Sequence, residues 1–244
     1  MQREKWAFVT GASGGIGSAI SFQLAKEGYH LYLHYHLGEQ AIKRVREVCV
    51  GYGASVILLQ GNLECVEEIE RMTKHFVRFP EVLINNAGVT QYGLFTDTSL
   101  EDLDRLDRVN IRAPYLLAQK CAPSMIRQRF GRIINISSIW GMTGASCEVL
   151  YSMTKGALLS FTKALAKELA PSGVTVNAVV PGAIEGNLMN RQFSKEDLDL
   201  IAEEIPMGRL GKPEEIASLV SYLLKEEANY ITGQVISPNG GWYT

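Results

Sequence analysis

Short runs of β-branched and aromatic residues alternate along the chain with longer segments whose apolar positions recur every three to four residues. That alternation predicts a parallel sheet covered by helices on both faces. Strands are expected at Trp6 to Thr10, His30 to Tyr35, Ser55 to Gln60, Val82 to Asn85, Arg132 to Ser137, Val174 to Val180 and Gln234 to Ser237. Helical patterns run over 15–27, 39–51, 65–77, 100–128, 150–170 and 213–224. Ser13 with its glycines marks the start of the first of these. Ser99 with Asp102 reads as a capping box, and Pro213 suits a first helical turn. The stretch 184–210 is the least regular and is expected to form a mobile lid over a substrate. No proline- or serine-rich linker and no repeat divides the chain, so residues 1–244 read as one doubly wound α/β domain with a seven-stranded parallel sheet.

Composition narrows the class without naming a function. Of 244 residues, 46% are hydrophobic and 20% charged, which suits a folded enzyme and argues against disorder. A net charge of -2 gives no reason to expect a nucleic-acid surface or a membrane-binding basic face. Every apolar run is broken by charge or glycine before the roughly 20 residues a membrane helix needs. The four cysteines, Cys49, Cys65, Cys121 and Cys147, form no Cys-x-x-Cys pair, and no secretory segment precedes Trp6. A soluble protein with reduced thiols in a cytoplasm is the expectation.

The chemistry concentrates in a few positions. Gly11, Ser13, Gly14, Gly15, Ile16 and Gly17 follow the first strand and open the first helix, the context in which backbone amides approach a pyrophosphate. Tyr151 and Lys155 stand one helical turn apart, so both side chains share a face. An ammonium below the phenol is expected to lower its pKa and make Tyr151 a proton donor or acceptor. Ser138, just past the fifth strand, is placed to hold a substrate oxygen. It lies in no Gly-x-Ser-x-Gly elbow and no histidine follows it, which excludes a serine–histidine acyl transfer.

Two further readings concern the second strand. It ends His34-Tyr35-His36-Leu37-Gly38, with no carboxylate before Glu39, so NADPH is favoured over NADH. His30, His34 and His36 fall on one side by period two, but no cysteine or acidic partner completes a metal site, and none is expected. His36 is read as a donor to the cofactor ribose or phosphate, His30 and His34 as packing residues.

Gly11, Gly15 and Gly17, then Asn85-Asn86-Ala87-Gly88, Asn110, Ser138, Tyr151, Lys155 and Pro181-Gly182 resemble, in order, the motif series of the short-chain dehydrogenase/reductase family. The resemblance spans nearly the whole chain and implies a Rossmann-type fold and an NAD(P)H-dependent ketone reductase. Asn110, Ser138, Tyr151 and Lys155 would then be catalytic, with Asn110 in a water-mediated proton relay to Lys155. Asn62, Leu63, Asn86, Ala87, Gly88, Pro181, Gly182 and Ile184 would join the glycine turn, Tyr151 and Lys155 around the cofactor. The resemblance also implies a homotetramer, with long helices pairing near Phe161 and Leu165. Three positions depart from the pattern. Gly186 stands where a threonine usually meets the nicotinamide carboxamide, with Asn187 as a substitute, while Asn62 and Asn239 replace common aspartates.

Length and motif spacing most resemble the bacterial 3-oxoacyl-acyl-carrier-protein reductases. Of two basic docking positions usual in those relatives, Arg129 matches one and Ser172 stands at the other. The segment Trp140-Gly141, with Gly144 to Ser152, resembles instead the elongation factor P 5-aminopentanone reductases, which reduce a ketone carried on a protein lysine. That substrate brings an ammonium, for which Glu148 and Glu185 are the candidate partners. Both can equally be solvated loop carboxylates. A catalytically silent cofactor sensor has no physical need for Asn110, Ser138, Tyr151 and Lys155 together.

Overall fold

A computed structural model describes residues 4–186 and 193–244. Seven strands form one sheet: β1 (Lys5–Val9), β2 (Tyr29–Tyr35), β3 (Val56–Gln60), β4 (Val82–Asn85), β5 (Gly131–Ile136), β6 (Val174–Val179) and β7 (Val235–Ile236). All are parallel, in the order β3-β2-β1-β4-β5-β6-β7. Around it lie α1 (Gly15–Lys26), α2 (Glu39–Gly51), α3 (Val66–Thr73), α4 (Leu100–Leu106), α5 (Ala113–Gln128), α6 (Trp140–Thr143), α7 (Val149–Leu169), α8 (Lys195–Glu204) and α9 (Pro213–Leu224).

Alternation along the strands separates two cores, because successive strand residues point to opposite faces. Ala7, Val9, Leu31, Leu33, Ile84 and Ile134 pack under α1, α2 and α9 through Ile20, Leu24, Ile42, Val45, Ile216 and Val220. Trp6, Phe8, Tyr32, Leu83, Ile133 and Val176 meet α3, α5 and α7 through Ile69, Met72, Leu117, Met125, Ala166 and Leu169. The chain runs outward from β1 to β3, then returns to lay β4 on the other side of β1. The sheet therefore opens a crevice beyond the carboxyl ends of β1 and β4, where such folds bind ligands.

Several helices differ from the expectation. The pattern over 100–128 is not one helix: a π-helical turn, Asp107–Arg112, separates α4 from α5. Pro114 has no N–H to give the carbonyl of Asn110, so the α ladder cannot run unbroken past that residue. The pattern over 65–77 stops at Thr73, because Phe76 leaves the helix to pack on Phe8 and Tyr32. Ser99 and Asp102 do form a reciprocal capping box, and Pro213 does open α9. Ser13 does not cap α1; Gly14 occupies that position with no side-chain bond. The expected lid contains a regular helix, α8, capped by Ser194 and Asp197. Asn187 lies outside the described residues. No helix among them is long and apolar enough to cross a membrane.

Candidate active site

The crevice is a cavity of about 750 Å³. Every residue expected to touch a cofactor lines it: Gly11, Ser13, Gly14, Gly15, Ile16 and Gly17 at the first turn, His36, Asn62 and Leu63 at one end, and Asn86, Ala87 and Gly88 along the floor. Pro181, Gly182 and Ile184 form the opposite wall, with Tyr151 and Lys155 at the far end. A dinucleotide fits this surface for a stated reason. Gly17 passes so close to Gly11 that a Cβ would lie 2.3 Å from the Gly11 carbonyl oxygen, and α1 begins without a side-chain cap. The first residues of α1, Gly15, Ile16 and Gly17, line the cavity, so the helix start whose amides no N-cap side chain covers adjoins it, as a diphosphate site requires.

At the other end, β5 and α7 bring the reactive groups together. The Lys155 ammonium donates to the Ile136 carbonyl at 3.0 Å, and the Ser137 hydroxyl donates to the Lys155 carbonyl at 2.9 Å. These bonds tie α7 to the end of β5 and hold Lys155 almost fully buried. Its Nζ lies 5.6 Å from the centre of the Tyr151 ring, and Ser138 hydrogen-bonds Tyr151. The short helix α6 presses on α7 here: a Cβ on Gly141 would lie 2.7 Å from the Lys155 backbone. A Cβ on Gly156 would meet the Gly141 carbonyl at 3.3 Å, so the two glycines let α6 and α7 approach each other.

Asn110, on the π turn, accepts from the Val89 amide at 2.9 Å and donates to the Val89 carbonyl and to Thr154 Oγ1. It thereby joins the chain after Gly88 to α7. A Cβ on Gly88 would lie 3.2 Å from the Lys155 ammonium and 3.4 Å from Asn110 Oδ1, so this glycine sits against both groups.

The electrostatics depart from the expectation in one respect. Burial pushes the Tyr151 phenol well above its ordinary value, the nearby Glu148 carboxylate adds to the rise, and the Ser138 bond only partly opposes them. Lys155 is not what governs this phenol, because its ammonium is anchored to Ile136 rather than to the tyrosine oxygen. Burial lowers Lys155 itself to about 8. Tyr151 is therefore held protonated, the state a proton donor needs.

Glu148 caps the approach to α7 half-buried, with Thr90 Oγ1 donating to it at 3.5 Å; burial raises its pKa. Glu185 also lines the cavity but is exposed at its mouth, its amide bonded to the Gly211 carbonyl. The wall around them includes Thr90, Arg105, Trp140, Phe193, Ile201 and Trp242. Trp242, Tyr243 and Trp140 form a ring cluster with centroids 5.4 to 5.8 Å apart. Sequence reasoning missed Trp242 in this role, because nothing local shows that the chain end folds back over α6.

His36 lines the cavity, while His30 and His34 are held by backbone groups. His30 Nδ1 accepts from the Ser55 amide, and both ring nitrogens of His34 are engaged by backbone groups. Packing alone does not describe His34.

A family model described as enoyl-(acyl carrier protein) reductase matches residues 11–243. The chain is a short-chain dehydrogenase/reductase. It is 47% identical over 240 residues to YmfI of Bacillus subtilis, named as an uncharacterized oxidoreductase, covering 98% of this chain and 99% of that one. It is 42% identical to the 3-oxoacyl-[acyl-carrier-protein] reductase FabG of Aquifex aeolicus, covering 98% and 97%. Among solved structures, YwfH, an NADPH-dependent reductase involved in bacilysin biosynthesis, superposes with a TM-score of 0.93 at 31% identity over 99% of each chain. The acetoin dehydrogenase YohF of Salmonella typhimurium gives 0.89 at 32% identity, covering 98% of this chain and 96% of that one. This short-chain dehydrogenase/reductase is therefore an oxidoreductase with a Rossmann-like parallel sheet.

Proposed function

We propose that the chain reduces a ketone with NADPH, and that the ketone bears an ammonium, as an aminopentanone on a protein lysine would. The observation that carries the first part is the half-buried, protonated Tyr151 beside Ser138 at the end of a cavity shaped for a dinucleotide. When bound, the nicotinamide cofactor would supply the hydride for the carbonyl carbon. Ser138 and Tyr151 hold the carbonyl oxygen, and Tyr151 gives its proton to the alkoxide as it forms. Lys155 holds the ribose, and Asn110 supports the path by which the tyrosine proton is restored. NADPH is supported at the end of β2, where Glu39, the first carboxylate, is turned to Lys43 at 2.6 Å on the exposed start of α2.

The observation that carries the second part is Glu148. A half-buried carboxylate with one long hydrogen bond, in a cavity also walled by Trp140 and Trp242, suits an organic cation. A fatty-acyl chain would leave that carboxylate unsatisfied. The 3-oxoacyl-acyl-carrier-protein reading keeps the support of the FabG relatives and of exposed Arg129. Kinetics of Glu148→Gln on an amino-ketone and a neutral ketone of equal size separate the two. The expected outcome is a loss of roughly 1 to 3 kcal/mol in kcat/KM confined to the amino-ketone. Equal loss on both removes the ammonium site, and turnover of an acyl-carrier ketone alone favours the fatty-acid reading.

A further inference from the structure

His34 is a buried polar residue of the sheet, 3% exposed, yet it is among the residues that line the cavity. It spans two chain segments far apart in sequence. The Gly11 amide donates to Nδ1 at 3.1 Å, and Nε2 lies 3.0 Å from the Gly61 carbonyl. An amide N–H can only donate and a carbonyl can only accept, so the partners fix the tautomer: Nδ1 is bare and Nε2 carries the proton. The titratable side chain acting on the ring is His36, just past the end of β2, while the turn after β1 and the end of β3 present backbone groups to it.

Gly11 is the residue at which the diphosphate turn leaves β1. Its φ of +63° is one that glycine adopts without strain, and a Cβ there would lie 2.9 Å from Ala87 Cα. Its carbonyl is held by the Gly14 amide at 3.1 Å and by Asn86 Nδ2 at 3.2 Å. Its amide has the imidazole. The far end of the same imidazole holds Gly61, which leads directly into Asn62 and Leu63 at the other end of the cleft.

We propose that His34 is a positioning residue for the dinucleotide: as a neutral, Nε2-protonated ring it fixes the Gly11 peptide, and with it the diphosphate turn, relative to the Gly61–Asn62 edge. The proposal rests on the reading of the cavity as a cofactor site. Loss of the acceptor leaves the part-buried Gly11 N–H without its partner, and the peptide plane is free to rotate to find another. That rotation displaces the amides that follow it, and so acts on cofactor binding through the turn.

Two near-isosteres divide the contact. In His34→Asn the amide oxygen replaces Nδ1 and keeps the bond to Gly11; in His34→Gln the longer amide reaches Gly61 and leaves Gly11 unpaired. Affinity for NADPH is measured by its fluorescence on binding, with circular dichroism and thermal midpoints recorded for each variant. The expected result is that His34→Asn binds within about threefold of the wild type, while His34→Gln and His34→Leu lose about tenfold or more. The loss should fall on KM for NADPH rather than on kcat at saturating cofactor. Nitrogen-15 spectra of the cofactor-free wild type should show a bare Nδ1 and a protonated Nε2. A ring protonated at Nδ1, three variants that bind alike, or affinities that follow the thermal midpoints instead of the Gly11 contact would each overturn the proposal. Wild-type protein that binds neither NADPH nor NADH would overturn the cofactor reading along with it, whereas wild-type binding with indifferent variants overturns this proposal alone.

Discussion

Replacing His34 by asparagine should make the fold more resistant to acid even though it removes the bond to Gly61. In the folded chain burial lowers the imidazole to about 4, with His36 contributing in the same sense and the Gly61 bond opposing. The ordinary value is 6.5, so the unfolded chain takes up a proton that the folded chain refuses. A depressed folded value means that the stability is fully present above 6.5 and is lost as pH falls toward 4. Near pH 5 the gap spans about 1.5 units below the unfolded value, and at ~1.36 kcal/mol per unit this one ring removes about 2 kcal/mol. Asparagine has nothing to titrate. Urea unfolding of both proteins near pH 7.5 and near pH 5, at one protein concentration, isolates the ring because the carboxylates are common to both. The wild type should lose about 2 kcal/mol more than the variant over that interval. Parallel losses would show that His34 does not titrate as its burial requires.

Three other outcomes are expected. Tyr151→Phe should lower reduction by about 10²- to 10⁴-fold while cofactor binding persists, since only the proton donor is lost; stopped-flow reduction and fluorescence titration measure the two. NADPH should bind more tightly than NADH, because no carboxylate at the end of β2 faces a 2′-phosphate; paired titrations would show equal affinities if that reasoning fails. Light scattering at micromolar concentration should give a homotetramer, with half-exposed Tyr115 and its neighbour Phe161, 5.8 Å between ring centres, covered by a second copy; a monomer would refute it.

Where local rules decide the structure, the sequence could be read directly. The glycine turn after β1 and the Tyr151–Lys155 face are set by neighbours a few residues away, and period two separated Phe8 from Val9 onto opposite cores. Helix α8 carried a usable signal that went unread: Ser194 and Asp197 repeat the spacing of Ser99 and Asp102. The protonation of Tyr151 was not legible, because it depends on burial and on the direction Lys155 points, and both are products of tertiary packing. His34 was legible as a buried strand position and no more. Its partners, Gly11 and Gly61, become neighbours only when β1, β2 and β3 are assembled.

A π turn is an α-helix with one residue too many, and the turn at Asp107–Arg112 places that surplus immediately around Asn110. Deleting one residue there would remove the surplus while Pro114 still lacked its N–H, and every side chain beyond the deletion would swing by about 100° around the helix axis. Asn110 could then no longer reach both Val89 and Thr154. The irregularity is thus a bearing angle: it aims one buried amide at Val89, which lines the cavity, and at Thr154 on α7. A one-residue deletion in this turn should therefore cost activity through the lost Asn110 bonds, whatever it does to the melting point.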